Sequence, residues 1–140
     1  LEALFPPSVW AKSLTLQADL LATSLWINGS EGQFTQATLP AEIQLSPVFC
    51  LEVIQRPDSL PLLVFAGNQS RIKPELGNQM GSYAWVITPQ ENGTWKTLLP
   101  EESGLFVPGE TRSWLQIPIH QKLHLVAFRN DDTPLAFEIR

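Results

Sequence analysis

Few side chains in this sequence could do chemistry, and they are scattered. The histidines are His120 and His124, whose i, i+4 spacing would aim both rings at one metal ion if they stood on a helix. Their neighbours argue for a strand. Ile117, Ile119, Leu123, Leu125 and Ala127 alternate with Gln116, His120, Lys122 and His124, a period of two. On one strand the two imidazoles share a face but stand roughly 13 Å apart, too far to hold one ion. No metal and no cofactor is expected.

The same alternation places Trp114 on the polar side of that strand with Gln116, His120 and His124. An exposed indole beside hydrogen-bonding side chains suits stacking on a sugar ring or anchoring a protein partner. Trp114, Gln116, His120 and His124 are therefore the candidate ligand-binding residues. Two features weigh against them: Pro118 could bulge the strand and break the register, and the loop over residues 100–112 could bury the indole.

No catalytic constellation stands out. Ser70-Arg71-Ile72-Lys73 matches a serine–lysine nucleophile pattern, but Pro74 follows at once and the companion motifs of such enzymes are absent. Glu101-Glu102 and Asp131-Asp132 fall in predicted turns, where acids are solvated or shape the turn. A carboxylate pair for hydrolysis would have to be assembled from distant positions. Cys50, the single cysteine, lies in Val48-Phe49-Cys50-Leu51-Glu52-Val53-Ile54 and reads as a small buried hydrophobe. Asn28, Asn68 and Asn92 each head an N-x-[ST] triplet in a predicted turn. Turn chemistry is the preferred account of them over glycosylation.

Composition narrows the classes further. A chain of 140 residues with 44% apolar and 16% charged residues can bury a core without a staple. The net charge is −5, from 14 acidic and 9 basic residues. The basic residues are spread almost singly, which excludes the basic patch that nucleic acid requires. No run approaches the ~20 apolar residues of a membrane helix. The start, Leu1-Glu2-Ala3-Leu4-Phe5, has no basic leader, and a first residue that is not Met reads as a domain excised from a longer protein.

Twelve prolines at fairly even intervals leave little room for helices. Between them lie short β-branched and aromatic runs bounded by turn residues, the spacing of an antiparallel sandwich or barrel. Residues 82–88 and 94–98 read as a hairpin around Asn92-Gly93, and residues 123–128 and 135–139 as a second. Further strands are expected at 33–38, 43–45, 48–55 and 62–66, with long loops at 67–82 and 100–112. Residues 8–27 fit two patterns: a helix capped by Ser8 with Trp10, Leu14, Leu21 and Leu25 on one stripe, or a strand alternating through Leu14, Leu16, Ala18 and Leu20.

The expectation is one all-β domain over residues 1–140, a sandwich or barrel-like fold of about 7–9 strands with an N-terminal helix as an option and α+β as the alternative. Its expected function is non-catalytic: binding a protein partner or a neighbouring domain of the same chain. A carbohydrate-binding module using an exposed tryptophan is the alternative, and a hydrolase with dispersed carboxylates is less favoured. Nucleic acid and direct membrane insertion are not expected.

Overall fold

The evenly spaced prolines and turn residues cut the chain into short strands, and these pair with their sequence neighbours. A computed structural model describes residues 4–57 and 59–139; Leu1–Ala3, on which the reading of the chain's start partly rests, lie outside the described residues. Among those described, nine antiparallel strands form three sheets, with only short helices and no closed barrel. No described helix is long and apolar enough to cross a membrane.

The first sheet is the hairpin β1 (Leu25–Asn28) and β2 (Phe34–Ala37). The second has the order β3 (Val48–Arg56), β4 (Ser59–Gly67), β5 (Trp85–Pro89), β6 (Trp95–Leu98). The third is β7 (Thr111–Ile119), β8 (Lys122–Arg129), β9 (Leu135–Glu138). Both predicted hairpins form, as β5–β6 and β8–β9. The strand expected at 43–45 does not form: those residues fall largely within a 3₁₀ turn over Ala41–Gln44 that drives Ile43 into full burial.

Residues 8–27 satisfy neither of their two patterns over any length. The N-terminal helix α1 is only Pro7–Trp10, and its N-cap is Pro6, so Ser8 caps nothing. Pairing begins again only at Leu25. The leucines between find no surface to cover, which removes the tertiary packing that stabilises most helices.

Two apolar clusters lie on opposite faces of the four-stranded sheet. The inner one joins Ile54, Val64, Ala66 and Val86 to Trp114, Leu125 and Ala127 of the third sheet, with Leu105 and Val107 supplied by the loop before β7. The outer one is Ile43, Leu63, Phe65 and Ile87, covered in part by Leu25 and Leu39. Each fully buried aliphatic side chain of this kind contributes about 1.5–3 kcal/mol relative to exposure.

A polar node ties these layers together at the end of β4. Gly67 packs so tightly that a Cβ there would lie 1.8 Å from the Pro47 carbonyl oxygen. Asn68 follows with φ 74°, a left-handed conformation that asparagine tolerates better than most residues. Its amide is buried and fully employed: Oδ1 accepts from Ser82 N–H at 3.0 Å, and Nδ2 donates to the carbonyls of Ser82 at 2.6 Å and Gly109 at 2.9 Å. Its backbone N–H donates to Pro47 and its carbonyl accepts from Arg112 Nη1. One residue thus holds the start of β3, the end of β4, the entry to β5 and the approach to β7.

Replacing Asn68 with Ala strands two buried backbone groups of Ser82 and the part-buried Gly109 carbonyl and adds left-handed strain, so Asn68→Ala is expected to cost about 3 kcal/mol. Asn68→Gly, which relieves the strain but not the lost bonds, should cost less. Urea denaturation midpoints of the two variants against the parent chain check both the loss and its order.

Candidate functional site

The expected binding face rests on one continuous strand through residues 114–127, and the chain does not make one. It turns at His120 and Gln121, both in the left-handed region (φ 49° and 67°), and Ile119 pairs with Lys122. A two-residue turn of this kind matches the natural strand twist. It also inverts parity, because residues opposite each other across the hairpin share a face. Trp114 lies opposite Ala127 and Gln116 opposite Leu125, so Trp114 and Gln116 point with the core leucine and alanine. Leu115 and Ile117 lie opposite Val126 and His124 and face outward.

The four candidate residues therefore do not converge. Trp114 is only 9% exposed, inside the inner cluster, and its indole N–H has no hydrogen-bond partner among the described residues. Gln116 reaches the other sheet, donating from Nε2 to Glu52 Oε1 at 2.6 Å and to the Val53 carbonyl at 3.1 Å. His120 is exposed at the turn, and His124 donates Nδ1–H to the Lys122 carbonyl on the outer face. Among the described residues, no group of three or more histidine, cysteine, aspartate or glutamate side chains is placed to hold a metal ion.

The strongest polar cluster is one that the sequence does not announce. Glu110 is nearly buried; its Oε1 accepts from Ser70 N–H at 2.5 Å and from the Ser70 hydroxyl, and its Oε2 from Arg112 Nη2 at 2.5 Å and Asn130 Nδ2 at 3.0 Å. The two Ser70 bonds, then that of Asn130 and the Arg112 charge, hold its carboxyl down to about 2 against the opposing effect of burial. A carboxylate so saturated is a clamp and not a proton donor near neutral pH. It also occupies Ser70, leaving the serine–lysine pattern without a free nucleophile, and Lys73 is exposed.

The other sequence candidates are likewise engaged. Asp131 pairs with Arg71, and Asp132 with Arg129 at 2.6 Å. Glu102 bonds Lys96 at 2.8 Å and the Leu99 N–H, in that order the causes that hold it below the usual carboxylate range. A general acid needs the opposite shift. Burial pushes the Cys50 thiol up to about 11, despite the nearby Arg112 charge and a bond to the Ala66 carbonyl, so the thiolate is scarce at neutral pH. The buried amide of Asn68 leaves no nitrogen for a glycan, and Asn92 shapes its own turn by accepting from Thr94 N–H and Oγ1.

Three apolar features are left uncovered. The outer face of the four-stranded sheet is covered over β4, β5 and β6 but not over β3. Leu51 lies opposite Phe65 and Val53 opposite Leu63, so each shares a face with a buried neighbour, yet Phe49, Leu51 and Val53 are 47%, 44% and 39% exposed. Arg112 lies 4.4 Å over the Phe49 ring and borders this strip. A second apolar feature is the β1–β2 hairpin, where Trp26, the one tryptophan classed as exposed, shares a face with Phe34, Asn28 and Gln36. A third is a cavity of about 700 Å³ between the two larger sheets, lined by apolar side chains and rimmed by Arg56, Glu101, Glu102 and Glu138.

The sign of the Glu110 shift gives a test of its clamp. A folded carboxyl at about 2 against an ordinary value of 4.5 adds stability that is fully present above pH ~4.5 and is lost as pH falls toward 2. The stability gap between the parent chain and Glu110→Gln is thus expected to be constant from pH 7 to 5 and to shrink below that, read as denaturation midpoints at each pH. No protein-family model, curated protein or solved structure matches this chain.

Proposed function

We propose that this chain is a non-catalytic interaction domain that binds a protein partner, or a neighbouring domain of its own polypeptide, through the uncovered outer face of β3. The observation that carries this reading is the continuity of one apolar sheet face: covered over Phe65 and Leu63, it runs without a break onto exposed Leu51 and Val53. Apolar patches of this kind, set beside a polar rim, mark contact surfaces. Arg112, stacked on Phe49 and tied to Glu110, supplies a positioned charge at the border of the strip, and arginine is enriched at the centres of such contacts. The saturation of Glu110, Glu102 and Ser70 supports a role without catalysis.

A photo-crosslinking side chain at position 49 of the full-length protein, in its source cells, is expected to give one discrete product with an identifiable partner or domain. Leu51→Glu combined with Val53→Glu should abolish that product while leaving the thermal midpoint nearly unchanged, since both side chains are half-exposed. No discrete product, or one that survives the double substitution, would sink the proposal.

Trp26 favours a second reading, carbohydrate binding. Its indole is 51% exposed and is flanked on the same face by the amides Asn28 and Gln36, the pairing of stacking surface and hydrogen-bond donors that sugar rings use. Tryptophan fluorescence titrated with a glycan panel is expected to shift in the parent chain and not in Trp26→Ala. An unchanged spectrum across the panel removes this reading.

A further inference from the structure

Two apolar surfaces are left uncovered on the same side of the four-stranded sheet. One is the β3 strip of Phe49, Leu51 and Val53. The other is the arm that precedes β1. Leu14, Leu16, Ala18 and Leu20 alternate with Thr15, Gln17 and Asp19, the period of a strand with one apolar face. Yet residues 13–22 belong to no strand, and Leu14, Leu16 and Leu20 are 83%, 82% and 53% exposed. The bond from Gln17 Nε2 to Asp19 at 2.8 Å stays within the arm.

The arm is tethered at its C-terminal end. Thr23 N–H donates to Gln44 Oε1, and the Thr23 carbonyl accepts from Gln44 Nε2, both at 2.9 Å. Gln44 follows Ile43, which is fully buried in the outer cluster with Leu63 and Phe65. Val53 and Leu51 lie opposite those two residues on the same sheet face. The arm therefore leaves the domain on the face that carries the strip.

Reach and period agree as well. Leu14 lies nine residues before Thr23, and Val53 nine residues after Gln44, so an extended arm of roughly 30 Å spans the strip to its end. Laid antiparallel to β3 and counted from the tether, the arm sets Ala18 against Phe49, Leu16 against Leu51 and Leu14 against Val53. The smallest apolar side chain of the arm thus meets the bulkiest of the strip, on which Arg112 already stacks. Layers pack face to face through such matched apolar rows and need no free ladder groups. The tether also makes the contact intramolecular, at an effective concentration in the mM range, which favours the chain's own arm over that of a second copy.

We propose that residues 14–20 form a strap that closes over the β3 strip of its own chain and yields it to a partner. The structure shows this strap open. Closure buries both apolar rows, and a partner that takes the strip must displace the strap, so the arm sets how readily the domain binds. This gating rests on the reading of the strip as a contact surface; the closure itself does not.

Maleimide labelling of Leu51→Cys in a Cys50→Ser background reads closure. The rate is expected to rise at least about tenfold when Leu14→Ser and Leu16→Ser are added, at every chain concentration. Glu91→Cys, in the exposed β5–β6 turn, should label equally with either arm, and circular dichroism should be unchanged because both serines replace exposed side chains. With the photo-crosslinker at position 49, the same serines should raise the yield of partner product.

Equal labelling of Leu51→Cys with either arm overturns the strap and leaves the partner reading standing on its own cross-link. An effect that grows with chain concentration also overturns it, since the covering arm then comes from a second copy. Arm-dependent labelling beside a partner yield that ignores the serines overturns the gating. Arm-dependent labelling with no partner product supports closure and sinks the function proposed above instead.

Discussion

The amide of Asn68 is the interaction on which the arrangement of this domain depends. Four short segments with little helical or ladder structure of their own converge on it: the Pro47 entry to β3, the end of β4, Ser82 before β5, and Gly109 before β7. Away from water, each of those backbone groups needs a partner, and one side chain supplies donors and an acceptor in a single plane. Only a residue that tolerates positive φ and carries both functions fits. Glu110 and Arg112 extend the same node by one residue on each side of Thr111, fastening Ser70 and Asn130 to the strand that begins there.

That node explains why the domain is closed at one side and open at the other. The Asn68 and Arg112 bonds, with Gln116 farther along β7, draw β7 against β3, and side chains take the place of a ladder between the two sheets. Among the described residues no ladder joins β6 to β9. The short helix α2 (Pro100–Ser103) and the residues leading to Leu105 lie in that gap but leave the apolar cavity beside them. Closing a sheet into a barrel needs strands of matched length and stagger, and β6 and β9 are four residues each against nine in β3 and β7. The short strands leave the sandwich half closed and its inner face partly open.

Much of the architecture was legible in the sequence because it is local. Proline spacing ruled out long helices, Asn92-Gly93 marked the β5–β6 turn, and the Asn130 to Pro134 run marked the β8–β9 turn. Each of these signals acts over a few residues through dihedral preference. The turn between β7 and β8 was missed because His120-Gln121 lacks the glycine or asparagine that usually accepts positive φ. Reading through it reversed the facing of Trp114 and Gln116, since one two-residue turn exchanges odd and even positions between the arms of a hairpin. A polar residue at a core-facing position, Gln116, and apolar residues at outward positions, Leu115 and Ile117, then completed the disguise.

The fold class and the strand-and-turn rhythm follow from the amino-acid sequence, because dihedral preferences and apolar runs are properties of neighbouring residues. Which face each strand shows, which carboxylate is buried and which apolar surface stays uncovered were settled by tertiary packing. Those depend on contacts between residues far apart in the chain, such as Asn68 with Gly109, Ser70 with Glu110 and Leu51 with Phe65. The leucines of residues 13–20 show the difference most plainly: their alternation is visible in the sequence, but whether a strand-patterned segment finds an edge to pair with is a matter of where the edges are.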